Sequence, residues 1–181
     1  MVSELHLSKN ARVKKALLPP PHTTQWCKAP LNQYKINWDA AIDKVNCRIG
    51  IGVIIRDWNG CVSAILRSTC SSFPDPLLGE AIAALSAIKF CYDLGPRSII
   101  LKGDSLNVVN AVNGPETNWS SVGMIITDLK KLLIQVGARK VLYVPHESNV
   151  VAHCLAKSSL DLLEESIHVE DYPQCIHNLI R

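Results

Sequence analysis

The chain has 181 residues, 48% of them hydrophobic, which is enough to bury one core without staples and excludes a disordered chain. Nineteen Lys and Arg against 16 Asp and Glu leave a net charge of +3, a mild excess that permits a polyanionic partner without specifying one. The seven cysteines include no C-x-x-C pair, so neither a zinc site nor a thioredoxin-like motif is indicated, and their apolar surroundings fit a reducing compartment.

Residues 1–30 contain Pro19, Pro20, Pro21 and Pro30, basic patches and no hydrophobic period, and read as a flexible, proline-containing basic leader. They lack the apolar segment of a secretory signal. No hydrophobic run approaches the roughly 20 residues of a membrane span. A soluble intracellular protein is expected, with nucleus or cytoplasm left open, no membrane partner, and a monomeric state. The folded body is expected over 31–165, starting near Tyr34, and residues 166–181 as a C-terminal tail.

"YKINWDAAID" alternates: Ile36, Trp38 and Ala40 on one side, Asn37, Asp39, Ala41 and Asp43 on the other, a period-two strand. "RIGIGVIIRD", Arg48 to Asp57, is almost wholly apolar and β-branched, as a well-buried strand would be. Asn59-Gly60 is a hairpin turn signal, and "CVSAILRSTC" returns as a third strand. A helix follows: Asp75 suits its N-cap, Pro76 its first position, and Gly95-Pro96 its stop, with Leu77, Ala81, Ala84, Leu85 and Ile88 as an apolar stripe. "SIILKGD" is a fourth strand, "SLNVVNAVNG" a short helix, and "WSSVGMIITDLKKLLIQVG" another. "RKVLYVPH" is a fifth strand, and a last helix begins near Ser148 or Asn149. The order β-β-β-α-β-α-α-β-α implies an α/β fold: a five-stranded mixed sheet, with a three-strand antiparallel meander plus two further strands, flanked by helices.

Three acids stand out, each with two readings. Asp39 is either a carboxylate on a solvated strand face or part of a site. Glu80 comes two residues too late for a capping box and shares a helix face with Ala84, Ala87 and Cys91, so it either leans out to water or is buried at cost. Asp104 ends a buried strand, where it can cap the following helix or join a ligand site at the carboxyl end of the sheet. Carboxylates brought together repel, and a hard divalent cation relieves that repulsion. Two such ions about 4 Å apart can activate a water and steady the leaving oxygen of a phosphodiester.

Five blocks in order, "KINWDAAID", "GIGVIIRDWNGCVSA", "GEAIAAL", "LKGDSLNVVNAV" and "VPHESNVVAHCLAKSSL", resemble a plant ribonuclease H-like domain of the reverse-transcriptase-associated, retroelement-derived type, from about Tyr34 to Ser159. The resemblance implies a ribonuclease H-like fold. It implies metal-dependent endonucleolytic hydrolysis of RNA in RNA–DNA hybrids, with two magnesium or manganese ions. It puts the metal ligands at Asp39, Glu80 and Asp104, adds His153 to the catalytic set, and sets Asn149 near the substrate or water.

The chain departs from the pattern at His153, where many active members carry an aspartate. Imidazole suits softer metals than magnesium, yet it can position a water or carry a proton. His153 therefore stands either as a participant in the site or as a helix histidine with a satisfied ring nitrogen. His146 reads as loop surface, with contact to phosphate as its other reading. The segment between Asn113 and Gly137 has only Lys130 and Lys131 and no basic insertion, so nucleic-acid affinity is expected to be weak and salt-sensitive. The alternatives are a catalytically weak or inactive nucleic-acid-binding module derived from a retroelement, and a protein-interaction domain.

Overall fold

A computed structural model describes residues 27–96, 98–115, 120–138 and 141–180. Most of the expected leader lies outside the described residues. Strands β1 (Tyr34–Asp43), β2 (Arg48–Arg56) and β3 (Val62–Ser71) form the antiparallel meander. Helix α1 (Pro76–Leu94) leads to β4 (Ile99–Gly103), then α2 (Leu106–Asn113), α3 (Ser121–Gln135), β5 (Val141–Tyr143), α4 (Val150–Ser159) and β6 (Ser166–Val169). The sheet order is β5-β4-β1-β2-β3-β6, with β4 parallel to both β1 and β5. The sheet therefore has six strands rather than five. The sixth comes from the stretch expected as a tail: it pairs antiparallel with β3, and Ile176 beyond it is fully buried.

The local signals for α1 act as anticipated. Asp75 Oδ1 accepts from Leu78 N at 2.8 Å, Pro76 opens the helix, and Gly95, at φ +82°, closes it by donating its N–H to Cys91 O. The buried face runs over Ala84, Ala87, Ile88 and Cys91, while Leu77 at its start is exposed. The same face carries Glu80, so its carboxylate is drawn against the sheet.

The sheet has two covered faces. Helix α1 covers the face of Trp38, Ile49, Ile51 and Val53, and α3 packs on α1 and α2 outside it, completing the main core. Helix α4 covers the opposite face over β1, β2 and β3, where Ile54 and Ile65 pack on Ala152 and Leu155. The polar side of β1, which alternation alone would give to water, is therefore buried: Asn37, Asp39 and Ala41 are all sealed. Gly50 and Gly52 make this close approach possible. A Cβ on Gly52 would collide with the backbone of Ala152 and Ala156. Gly52 is the register partner of Asp39, so the glycine sets how near α4 comes to that acid.

Candidate metal centre

The three acids come from three elements. Asp39 is in the middle of β1 and is 3% exposed. Glu80 is in the second turn of α1. Asp104 directly follows β4. A Cβ on Gly103 would overlap the Trp38 ring, so glycine lets the end of β4 close onto β1 and delivers Asp104 beside Asp39. Each acid offers an oxygen, and these oxygens lie within 4.8 Å of one another.

Neither Asp39 nor Glu80 leans out to water: Asp39 is sealed beneath α4, and Glu80 is partly buried against β1 with its Oε2 inaccessible. The cap expected of Asp104 is also not made. Ser105 is the N-cap of α2, without a side-chain cap bond, and Asp104 instead contacts His146.

Burial and mutual repulsion shape the electrostatics. Burial, followed by the charge of Asp104, pushes the Asp39 carboxyl up to about 6. Burial, followed by the charges of Asp39 and Asp104, pushes Glu80 up to about 9. At neutral pH the cluster without a cation therefore holds a proton on Glu80. Glu80 Oε1 accepts from Ala40 N at 3.3 Å; its Oε2 is buried and meets no fixed donor among the described residues, and a proton on Glu80 is shared with Asp39. A buried oxygen left in this condition is costly, and a cation would satisfy it. An all-oxygen carboxylate set suits a hard ion such as magnesium or manganese. The residues fit that group.

Two histidines flank the acids. His153, one turn into α4, places Nδ1 2.6 Å from Asp39 Oδ2. That nitrogen is thereby occupied by the carboxylate. His146, in the short turn before α4, places Nδ1 2.9 Å from Asp104 Oδ2 and is largely exposed. The hydrogen bond to Asp104 is the main reason its pKa is raised. The two rings meet edge to face, with centroids 4.7 Å apart. His146 is thus part of the site and not only loop surface. Sequence pattern misses it because a loop residue carries no periodic signal.

Asn149 is 1% exposed. It sits at the N-cap of α4 but makes no side-chain cap bond. It donates to Trp38 O at 2.8 Å and accepts from Asn37 Nδ2 at 3.0 Å. Both ends of its amide are therefore used to tie the head of α4 to β1, which holds His153 over Asp39. Asn37, not singled out from sequence, belongs to the same network.

The profile of a family described as reverse transcriptase-like matches residues 37–159. No curated protein matches the chain by sequence. Among solved structures, the chain is similar to ribonuclease H1 of the halophilic archaeon Halobacterium salinarum, at 23% identity and TM-score 0.66, covering 71% of this chain and 98% of the archaeal one. It is also similar to LC11 ribonuclease H1, isolated from compost by a metagenomic approach and solved with an RNA/DNA hybrid. That likeness has 17% identity and TM-score 0.63, covering 71% and 96%. A third is the foamy viral protease-reverse transcriptase in complex with an RNA/DNA hybrid, at 13% identity and TM-score 0.56, covering 80% of this chain and 23% of that one. At these identities the likeness is one of fold.

Proposed function

This chain belongs to the reverse transcriptase-like family, and we propose that it is a divalent-metal-dependent endonuclease that hydrolyses RNA in RNA–DNA hybrids. The observation that carries the proposal is the meeting of Asp39, Glu80 and Asp104 around a buried oxygen of Glu80 that meets no fixed donor among the described residues. The substrate class is taken from the hybrid complexes of two proteins that share its fold.

Asp39, Glu80 and Asp104 would hold magnesium or manganese, two ions by the resemblance. Bound there, the ions would supply charge to activate a water and to steady the leaving oxygen of a phosphodiester. The chain's own residues divide the remaining tasks. His153 fixes the orientation of Asp39 from the side opposite Glu80's helix. Burial of Asp39 beneath α4 limits the screening of its charge by water, while Glu80 and Asp104 stay partly accessible. His146, exposed and held by Asp104, can give or take a proton at Nε2 near neutral pH. In this scheme a water oxygen bonds to phosphorus as the bond from phosphorus to the ribose oxygen breaks; the water gives up one proton and the leaving oxygen takes one, leaving a phosphate end and a ribose hydroxyl.

Cleavage of an end-labelled RNA–DNA hybrid in magnesium, then in manganese, tests the proposal. Cleavage abolished by Asp104→Asn supports it. A second reading is favoured by His153, which gives the site a neutral or cationic group where a fourth carboxylate would stand: a hybrid-binding module with weak or no turnover. Binding without cleavage in either ion, on folded protein, selects that reading. His153→Asp would then restore cleavage.

A further inference from the structure

Helix α4 carries a second chemistry besides its histidine: a pair of thiols. Cys154, next to His153, is half-buried, and Cys175, in the short turn Gln174–Ile176 beyond β6, is exposed. They stand 21 positions apart in the chain, yet Cys154 Sγ donates to Cys175 O at 3.2 Å. The Cys175 thiol turns to the same helix, where its Sγ donates to Ser158 Oγ at 3.5 Å. Ser158 follows Cys154 by one helical turn, so both thiols lie along one face of α4. The thiols are themselves neighbours: burial first, and then the Cys175 thiol beside it, raise the pKa of Cys154.

The surroundings hold this pair in place. Ser158 Oγ also accepts from Arg67 Nη1 at 3.4 Å and donates to Leu155 O at 2.9 Å, so the group that receives the Cys175 thiol is fixed. Next to Cys175, Ile176 is fully buried and clusters with Ala152 and Leu155 of α4. That packing sets the turn against the helix, and a disulfide forms readily only between backbones already held at a close approach. Elsewhere the C-terminal segment is lightly held: β6 pairs with β3 over four residues, and Ile167 and Val169 are more than half exposed. An accessible cysteine beside a second, resolving one is the arrangement of a redox-responsive pair, which rests as thiols under reducing conditions.

We propose that Cys154 and Cys175 form a reversible disulfide when the chain meets hydrogen peroxide, fastening the C-terminal segment to α4. The exposed Cys175 sulfur, as thiolate, attacks one peroxide oxygen. The S–O bond forms as the O–O bond breaks, and the departing oxygen takes up a proton and leaves as water. Cys154 then attacks the sulfenic sulfur of Cys175: the S–S bond forms, the S–O bond breaks, and the hydroxyl leaves with a proton as a second water. Two thiols give up two electrons and two protons, and the peroxide is reduced to two waters. A dithiol reverses the bond by exchange and becomes a disulfide itself. The cross-link closes a loop in the chain and so restrains local opening of the segment it holds. Because α4 also carries His153 against Asp39, oxidation fixes the cover of the helix that orients this acid.

Hydrogen peroxide added to the reduced full chain, followed by alkylation and peptide mass spectrometry, reads the bond directly. The expected product is a monomer with the Cys154 and Cys175 peptides joined, and dithiothreitol restores both thiols. Cys175→Ser is expected to abolish the cross-link. Cys154→Ser is expected to abolish it too, leaving Cys175 as a sulfenic acid that dimedone traps. Cys47→Ser, at an exposed cysteine outside the pair, is expected to leave it intact. Amide exchange at Ile176 is expected to slow about tenfold or more on oxidation of the wild-type chain, with no such slowing in Cys175→Ser. Cys175 joined to another cysteine, a cross-link only between two copies, or unchanged exchange at Ile176 in the cross-linked chain overturns the proposal. Both thiols still free at a peroxide dose that oxidises glutathione in the same solution overturns it as well.

Discussion

Metal binding at the carboxylate cluster should be coupled to loss of a proton from Glu80. The Glu80 carboxyl stands at about 9 and that of Asp39 at about 6 in the cation-free site. Between these values Asp39 is already ionised and Glu80 is not. A divalent ion requires the carboxylate form, so each ion bound in this window displaces one proton. The apparent affinity then rises tenfold per pH unit, which amounts to about a hundredfold for two pH units within the window. Below the Asp39 value a second proton must leave and the dependence steepens; above the Glu80 value it flattens. Isothermal titration with magnesium or manganese, in buffers of different ionisation enthalpy, measures both the affinity and the proton released. Glu80→Gln removes the titrating group and should leave weaker binding with little pH dependence in the same window. Affinity that is flat with pH in the wild-type protein, or a slope that survives in Glu80→Gln, would refute the argument that burial and the neighbouring charges keep Glu80 protonated.

Four further outcomes follow from the same geometry. Because Glu80 binds its proton more tightly in the folded than in the unfolded chain, the cation-free protein should lose stability as pH rises from about 4.5 towards 9, and saturating magnesium should reverse that trend in a thermal melt. Gly52→Ala should destabilise by about 1–3 kcal/mol or more in denaturant unfolding, because its Cβ has no room beneath α4, and should also weaken metal binding by moving His153 from Asp39. Asp75→Ala should cost about 1 kcal/mol through the lost cap on Leu78 N, with metal affinity unchanged. His146→Ala should lower the cleavage rate more than it lowers metal affinity, since His146 touches only Asp104 among the three acids; equal losses in both would count against a proton-carrying role.

What could be read from the sequence was set by how local its cause is. The ends of α1 were legible because Asp75, Pro76 and Gly95 act on their immediate neighbours. The meander was legible because β2 is apolar throughout and the Asn59-Gly60 turn is short. The strand β6 was not, because its two apolar residues, Ile167 and Val169, are more than half exposed and its placement depends on backbone pairing with β3. The burial of Asn37 and Asp39 could not be seen in β1 itself. It is caused by α4, more than a hundred residues later, and its trace in the sequence is the pair Gly50 and Gly52. Asp104 is legible as a site acid from its place at the end of a strand, but the N-cap falls one residue later than the pattern suggests, on Ser105. His146 reaches Asp104 only through the fold, across 42 residues, and no spacing rule announces it.

Diffraction from manganese-soaked crystals, recorded for anomalous scattering, tests the central claim that these three carboxylates form a divalent-metal site. An anomalous peak is expected within ligand distance of oxygens from Asp39, Glu80 and Asp104, and is expected to be lost in Asp104→Asn crystals. A fully soaked crystal with no peak among these residues, or with manganese bound only elsewhere on the surface, would contradict it.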